Sequence, residues 1–335
     1  MAAAPIRVGI LGAAGIAPWG MLQPANRRDD VVVSAIAARD PARARAMADQ
    51  HGVAHVAARY GDLIARDDVD LVYVALPVSG HAEWSIRALE AGKAVLCEKP
   101  FAMNATEAAE MVAAADHAGR PLIEAIHYRF HAVTDRALEI MRSGVLGRVV
   151  EASGEFVYPV PFKLSEIRWR AALGGGAAMD DGCYPIHALR TLLQREPTVT
   201  SARSRYAHGV DAETWAELRF GETSARIHVS LETEAPKALI EIIGEAGRLR
   251  IDNFITPQWK GALTLERGGV VETPRIDGLP TWDAQLAHVV DVLRGNCAPL
   301  TGGRDAIANM AVIDAVKRGA RWRADQHNEG SRRNE

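Results

Sequence analysis

Short apolar runs alternate with helical patterns over the first third of the chain. Ile6–Leu11, Val31–Ala38, Leu71–Leu76, Ala94–Cys97 and Pro121–Ile126 are nearly continuous stretches of apolar residues. Between them lie segments with helical spacing, such as His81–Ala91 and Asn104–His117. Apolar strands separated by helices predict a parallel sheet covered on both faces. Asn104 and Glu107 have the spacing of a capping box, and Gly119 and Pro121 stop that helix. Residues 1–127 therefore read as a doubly wound, nucleotide-binding α/β domain.

The pattern then changes. Ala132–Ser143 reads as one more helix. Strands with hairpin signals follow: Trp215–Phe220 and Ala225–Glu232 flank Gly221–Ser224, and Ala238–Ile243 and Arg248–Asp252 flank Gly244–Gly247. Runs of strands without intervening helices predict a mostly antiparallel sheet. Helical segments Trp282–Leu293 and Arg304–Ala320 close a second domain over 128–323, and the polar residues 324–335 are expected to form a disordered tail.

Composition narrows the classes. A length of 335 residues suits two domains, and 48% hydrophobic with 24% charged residues is ordinary globular chemistry. The net charge of −3 comes from well-mixed charges with no basic face, so no nucleic-acid partner is expected. No apolar run approaches the ~18 residues that span a bilayer, so no membrane partner is expected either. Cys97, Cys183 and Cys297 are too few and too scattered for a disulfide framework or a zinc cluster. The chain enters its first strand almost at once, without the apolar core of a signal peptide, and a cytoplasmic location is the expectation.

Candidate chemistry starts at Val8–Ala17. Gly12, Ala14 and Ala17 make a G-x-A-x-x-A variant of the dinucleotide fingerprint, between a strand and a helix. Small residues there let backbone approach a pyrophosphate. The plainer alternative is a tight strand-to-helix turn. The second strand ends Ala38-Arg39-Asp40. A small residue followed by arginine leaves room and a charge for a 2′-phosphate, which favours NADP. In the alternative, Asp40 holds the ribose of NAD.

From Ala91 to Pro100 the sequence, ending Glu98-Lys99-Pro100, resembles the Gfo/Idh/MocA oxidoreductases. A second block, Leu173–His187, agrees, as do His81–Trp84, Glu124-Ala125, Tyr128–His131, Asp305-Ala306 and Asn309-Met310. The resemblance covers about residues 5 to 320. It implies an N-terminal Rossmann domain and a C-terminal α+β domain with a large, open, mostly antiparallel sheet, through which members form homodimers or homotetramers. It implies that NADP, or NAD, is held by Gly12, Ala13, Ala14, Gly15, Ile16 and Arg39, together with Leu76, His81, Glu98 and Lys99.

The resemblance also assigns chemistry. Lys99, at a strand end beside a cationic nicotinamide, would have its pKa lowered by like charge and would bond the reacting oxygen. The position four residues after Asp180 is Tyr184 rather than histidine. This is similar to the branch containing glucose–fructose oxidoreductase, dimeric dihydrodiol dehydrogenase and NADP-dependent D-xylose dehydrogenases, in which a tyrosine is the general acid/base. Asp180 would orient the sugar or the lysine. The implied reaction is hydride transfer at a hydroxyl or carbonyl of a sugar or related cyclic polyol. Alternatives are a nucleotide-sugar ketoreductase, a dihydrodiol dehydrogenase, and a non-enzymatic dinucleotide-binding regulator.

The remaining candidates read two ways. Arg168 and Trp169, with Arg170, either clamp a sugar or form a solvated loop. His187 either lines the substrate pocket or buttresses its helix. His127 and His131 have helical metal-ligand spacing but no carboxylate cluster beside them, and no metal is expected. Cys97 and Cys183 read as small buried apolar residues.

Overall fold

The computed structural model describes the backbone of residues 4–332 and the side chains of residues 4–320. The chain folds as two compact units. One holds the residues up to His127 together with Trp282–Ile307, and the other holds Tyr128–Thr281 and the chain from Ala308 onward.

The first unit is built on six strands: β1 (Ile6–Leu11), β2 (Val31–Ala37), β3 (His55–Ala57), β4 (Leu71–Val74), β5 (Ala94–Glu98) and β6 (Leu122–Ala125). All pair in parallel, in the order β3-β2-β1-β4-β5-β6. The order reverses at β1/β4, the point where open α/β sheets bind ligands beyond their carboxyl ends. Five helices connect the strands: α1 (Gln23–Asn26), α2 (Pro41–His51), α3 (Tyr60–Ile64), α4 (His81–Glu90) and α5 (Ala105–Ala118). The ends of α5 follow from local chemistry. Asn104 Oδ1 accepts from the Glu107 N–H at 3.0 Å, and Gly119 ends the helix in the left-handed conformation. Glu107 reaches back one residue beyond the expected capping box, accepting from the Met103 N–H.

The second unit opens with α6 (Ala132–Arg142). Its sheet comprises β7 (Val149–Val157), β8 (Thr198–Ala207), β9 (Val210–Phe220), β10 (Thr223–Ser230), β11 (Lys237–Gly244), β12 (Gly247–Asp252), β13 (Ala262–Arg267) and β14 (Val270–Glu272). The order is β14-β13-β12-β11-β7-β10-β9-β8, antiparallel throughout except β7 with β10. The short α7 (Ala177–Asp180) and the longer α8 (Cys183–Leu193) lie between β7 and β8 in sequence. Helix α8 covers one face of the sheet: a Cβ on Gly154 of β7 would stand 2.7 Å from the Pro185 Cβ, so only glycine admits the helix this closely. Ala225, Ile227 and Val229 of β10 point into that covered face, while Arg226 and His228 alternate onto the open one.

Helices α9 (Thr281–Leu293) and α10 (Gly303–Arg332) complete the chain. Leu286, Val289 and Val290 of α9 join the core of the first unit, with Ile10, Ile36, Leu71, Leu96 and Ile123. The expected division at 127/128 is thus only part of the boundary, because residues 282–307 return to the first unit. An apolar stripe on a helix shows that it is buried, not against which sheet. Helix α10 runs past the expected start of a tail at 324, and the side chains there lie outside the described residues. Strand β3, too short and too polar to register as a run, went unrecognised in the pattern.

Candidate functional site

The glycine-rich turn leaves the end of β1. Gly12 has φ +106°, and a Cβ there would fall 2.2 Å from the Ala75 carbonyl oxygen, so the position excludes every other residue. Its N–H donates to Ala37 O at 2.8 Å, tying the turn to the end of β2. Gly15 has open space where a side chain would project. Ala13 is buried, Ala14 and Ile16 are half-buried, and the chain then winds into a wide helical turn over Pro18–Leu22. A tight turn with open space above it, at the reversal of strand order, fits a dinucleotide pyrophosphate.

At the tip of β2, Ala38 is buried and Arg39 is exposed, its backbone N–H donating to the Tyr60 hydroxyl. Asp40 caps α2, with Oδ1 accepting from Ala42 N–H at 2.9 Å and more weakly from Arg43 N–H. The Arg43 guanidinium donates to Ala13 O at 2.9 Å, so a second cation stands on the glycine-rich turn. Nothing local to the sequence marked Arg43, because the contact needs α2 to fold back over the turn.

The ends of β4 and β5 lie side by side. Leu76 packs over Gly12. The Tyr73 hydroxyl, fully buried in β4, donates to Glu98 Oε1 at 2.5 Å, and Glu98 Oε2 accepts from the Lys99 N–H at 3.2 Å. Lys99 is half-buried and is followed by a cis peptide to Pro100. His81, at the start of α4, places Nδ1 3.0 Å from Pro100 O and Nε2 2.9 Å from Leu76 O. His127 is pushed down to a pKa of about 3, first by burial and then by the charge of Lys99, and its ring packs on Trp282 at 4.4 Å. The Cys97 thiol is pushed up by burial, which leaves it without nucleophilic character.

In the second unit the glycine block is organised by Asp211, a residue the sequence reading missed. Gly176, at φ +113°, leaves the space that Asp211 Oδ1 occupies. Asp211 Oδ2 accepts from Ala178 N–H at 2.7 Å and from Thr214 Oγ1 at 3.0 Å. Burial nonetheless raises the Asp211 pKa. On the same turn, Asp180 Oδ2 accepts from Arg168 Nε at 2.9 Å, and Arg168 also pairs with Glu166. These carboxylates, Asp180 foremost, hold the Arg168 guanidinium above its usual pKa.

Trp169 is no sugar clamp. It is 4% exposed, donates from Nε1 to Val160 O at 3.0 Å, and packs edge-on to Phe162 and His208. Tyr184, in the first turn of α8, is also 4% exposed, with its ring edge-on to Phe156 and Tyr128. His187 is 1% exposed, with Nδ1 2.5 Å from the Tyr128 hydroxyl and 3.4 Å from Thr191 Oγ1. These contacts hold the ring against Tyr128 and Thr191. His131 caps α6 through Nδ1, which accepts from Val133 N–H. Asn309 of α10 donates to Cys183 O and fixes the start of α8.

The structure thus brings the glycine-rich turn, Leu76, His81, Glu98 and Lys99 together in one unit, and Arg168, Asp180, Tyr184 and His187 in the other. Among the described residues, no group of three or more His, Cys, Asp or Glu side chains could hold a metal ion, and no helix is long and apolar enough to cross a membrane.

Known proteins share both units. Residues 6–125 match the oxidoreductase family with an NAD-binding Rossmann fold, and residues 134–250 match the GFO/IDH/MocA C-terminal domain. A D-xylose 1-dehydrogenase (NADP(+)) of Haloferax volcanii is 33% identical, over 92% of this chain and 95% of its own. A dTDP-3,4-didehydro-2,6-dideoxy-alpha-D-glucose 3-reductase of Saccharopolyspora spinosa is 36% identical, over 93% and 96%. Among solved structures, a 3-ketoreductase from Actinomadura kijaniata in complex with NADP and TDP-benzene superposes with a TM-score of 0.88 at 29% identity, over 94% of this chain and 98% of that one. The chain belongs to the Gfo/Idh/MocA family of NAD(P)-dependent oxidoreductases.

Proposed function

We propose that the protein is an NADP-dependent dehydrogenase or reductase acting on a hydroxyl or carbonyl of a sugar or related cyclic polyol. The observation that carries this reading is the gathering of the Gly12 turn, Glu98 and Lys99 at the carboxyl ends of adjoining parallel strands. Backbone from Gly12 to Ile16 holds the pyrophosphate, with Leu76 against it, and Arg39 pairs with the 2′-phosphate. When bound, the nicotinamide supplies or accepts the hydride. Lys99 bonds the reacting oxygen, and Tyr184 serves as the general acid in reduction and the general base in oxidation. Asp180, locked by Arg168, sets the position of the substrate-facing turn. Two of the superposing ketoreductase structures carry a tyrosine changed to phenylalanine or a lysine changed to alanine, the same two residue types.

A nucleotide-linked deoxysugar is the second reading, favoured by the 36% identity to the dTDP-sugar 3-reductase. The reading also includes a cytoplasmic location, supported by the free thiols of Cys97, Cys183 and Cys297. It includes a homodimer or homotetramer as well, built on the open sheet face. Trp215, Arg226, His228, Lys237 and Glu241 line a groove of about 690 Å³ on that face. A monomeric mass in light scattering at micromolar concentration contradicts the assembly.

The test is a nicotinamide-absorbance screen of aldoses, cyclitols, dihydrodiols and a dTDP-linked ketosugar, each with NADP(H) and NAD(H). Turnover of one of these with NADP(H) preferred is the expected outcome. Arg39→Ala should then weaken NADP binding roughly ten- to a hundredfold, the worth of a charge-assisted hydrogen bond, and leave NAD nearly unchanged. Equal losses for both cofactors contradict the role of Arg39.

A further inference from the structure

We propose that His81 is a positioning residue of this site, tying the loop that carries Leu76 to the turn that carries Lys99. Both ring nitrogens face backbone carbonyls, Nδ1 that of Pro100 at 3.0 Å and Nε2 that of Leu76 at 2.9 Å. The two carbonyls belong to different segments. Leu76 follows β4 and packs over Gly12, and Pro100 follows Lys99 at the end of β5. One buried side chain therefore spans the wall of the glycine-rich turn and the backbone of the lysine.

The chemistry of the ring sharpens this role. A carbonyl oxygen only accepts, so each of the two contacts needs an N–H. A neutral imidazole has one N–H and an imidazolium has two. The ring is 1% exposed and lies near the Lys99 charge, both of which disfavour the imidazolium, while the Leu76 and Pro100 carbonyls and the Phe101 backbone favour it. The net direction is a lowered pKa, so the ring is neutral and its single proton serves one carbonyl at a time. His81 and Ser85 stand one helical turn apart on the same face of α4. Both side chains are buried, so that face of α4 packs inward over two successive turns.

The inference rests on the proposed roles of the Gly12 turn and Lys99, and the two can fail separately. An asparagine amide nitrogen replaces Nδ1, and a glutamine amide nitrogen replaces Nε2. H81N keeps the link to Pro100 and loses that to Leu76. It is expected to hold kcat within about threefold of native while raising the dinucleotide KM about tenfold, because the buried Leu76 carbonyl loses the N–H that the native ring shares with it. H81Q keeps the Leu76 link and is expected to show the converse, kcat down about tenfold with the dinucleotide KM near native. Equal losses in both variants, or native constants in both, overturn the positioning role. Lys99→Ala is measured beside them: native kcat in that variant overturns the role of Lys99, whereas loss of kcat there with native His81 variants overturns only the inference. Nitrogen NMR of labelled histidine in the native enzyme gives a readout independent of how the variants fold. A neutral His81 ring with one solvent-protected N–H is expected, and an imidazole exchanging like an exposed one overturns the proposal.

Discussion

Single residues show where the sequence spoke and where it was silent. Gly12 and Lys99 were legible because each sits in a local pattern, a small-residue turn after a strand and a Glu-Lys-Pro triplet. Trp169 misled, because an aromatic between two arginines looks the same whether its ring faces solvent or the core. The structure buries it and satisfies its indole on Val160 O. His127 was read only as half of a metal spacing, yet its burial makes a testable stability term. Folded His127 titrates at about 3, against roughly 6.5 for an unfolded histidine. Between those values the unfolded chain holds the additional proton. Stability is therefore lost as pH falls from about 6.5 towards about 3, at up to ~1.4 kcal/mol per pH unit. His81 and His131, also lowered, act in the same direction. Urea midpoints at about pH 7, 6 and 5 should fall on acidification in the native protein. The slope should flatten by about one proton in His127→Gln, and an unchanged slope contradicts the assignment.

At the scale of elements, the apolar strands of the first unit except β3, and the caps of α5, were legible to within about two residues because they follow short-range rules, whereas β7, β8, β13 and β14 of the second sheet and the first half of β9 were not read. The Rossmann strands are apolar runs, and α5 begins at Asn104 and ends at Gly119 as its side chains dictate. The arrangement of the glycine block was not legible. Asp211 lies 31 or more residues from the turn it holds, and it reaches Ala178 only because β9 passes beneath α7. Asp211→Ala leaves the Ala178 N–H and the Thr214 hydroxyl without their acceptor in a buried setting. The expected cost is about 1–3 kcal/mol of stability by urea unfolding, with Asp211→Asn less severe because its amide oxygen still accepts one bond. A loss below about 0.5 kcal/mol for Asp211→Ala contradicts the organising role.

At the scale of the whole molecule, family membership and fold class were both legible, because the two long motifs, one in each unit, are specific. The return of Trp282–Ile307 to the first unit was not, since an amphipathic helix carries no address for its core. Substrate choice is equally absent from the pattern, because related chains of about the same identity act on a pentose or on a dTDP-linked deoxysugar. What the family leaves constant is the handling of one hydride and one proton, and the central claim is that Tyr184 carries the proton. Tyr184→Phe keeps the ring packed against Phe156 and Tyr128 and removes only the hydroxyl. The most direct measurement is kcat of this variant on a substrate the native enzyme turns over, taken with its dinucleotide affinity. A drop of about 10²–10⁴ in kcat with affinity preserved is the expected result, and near-native kcat would contradict the account.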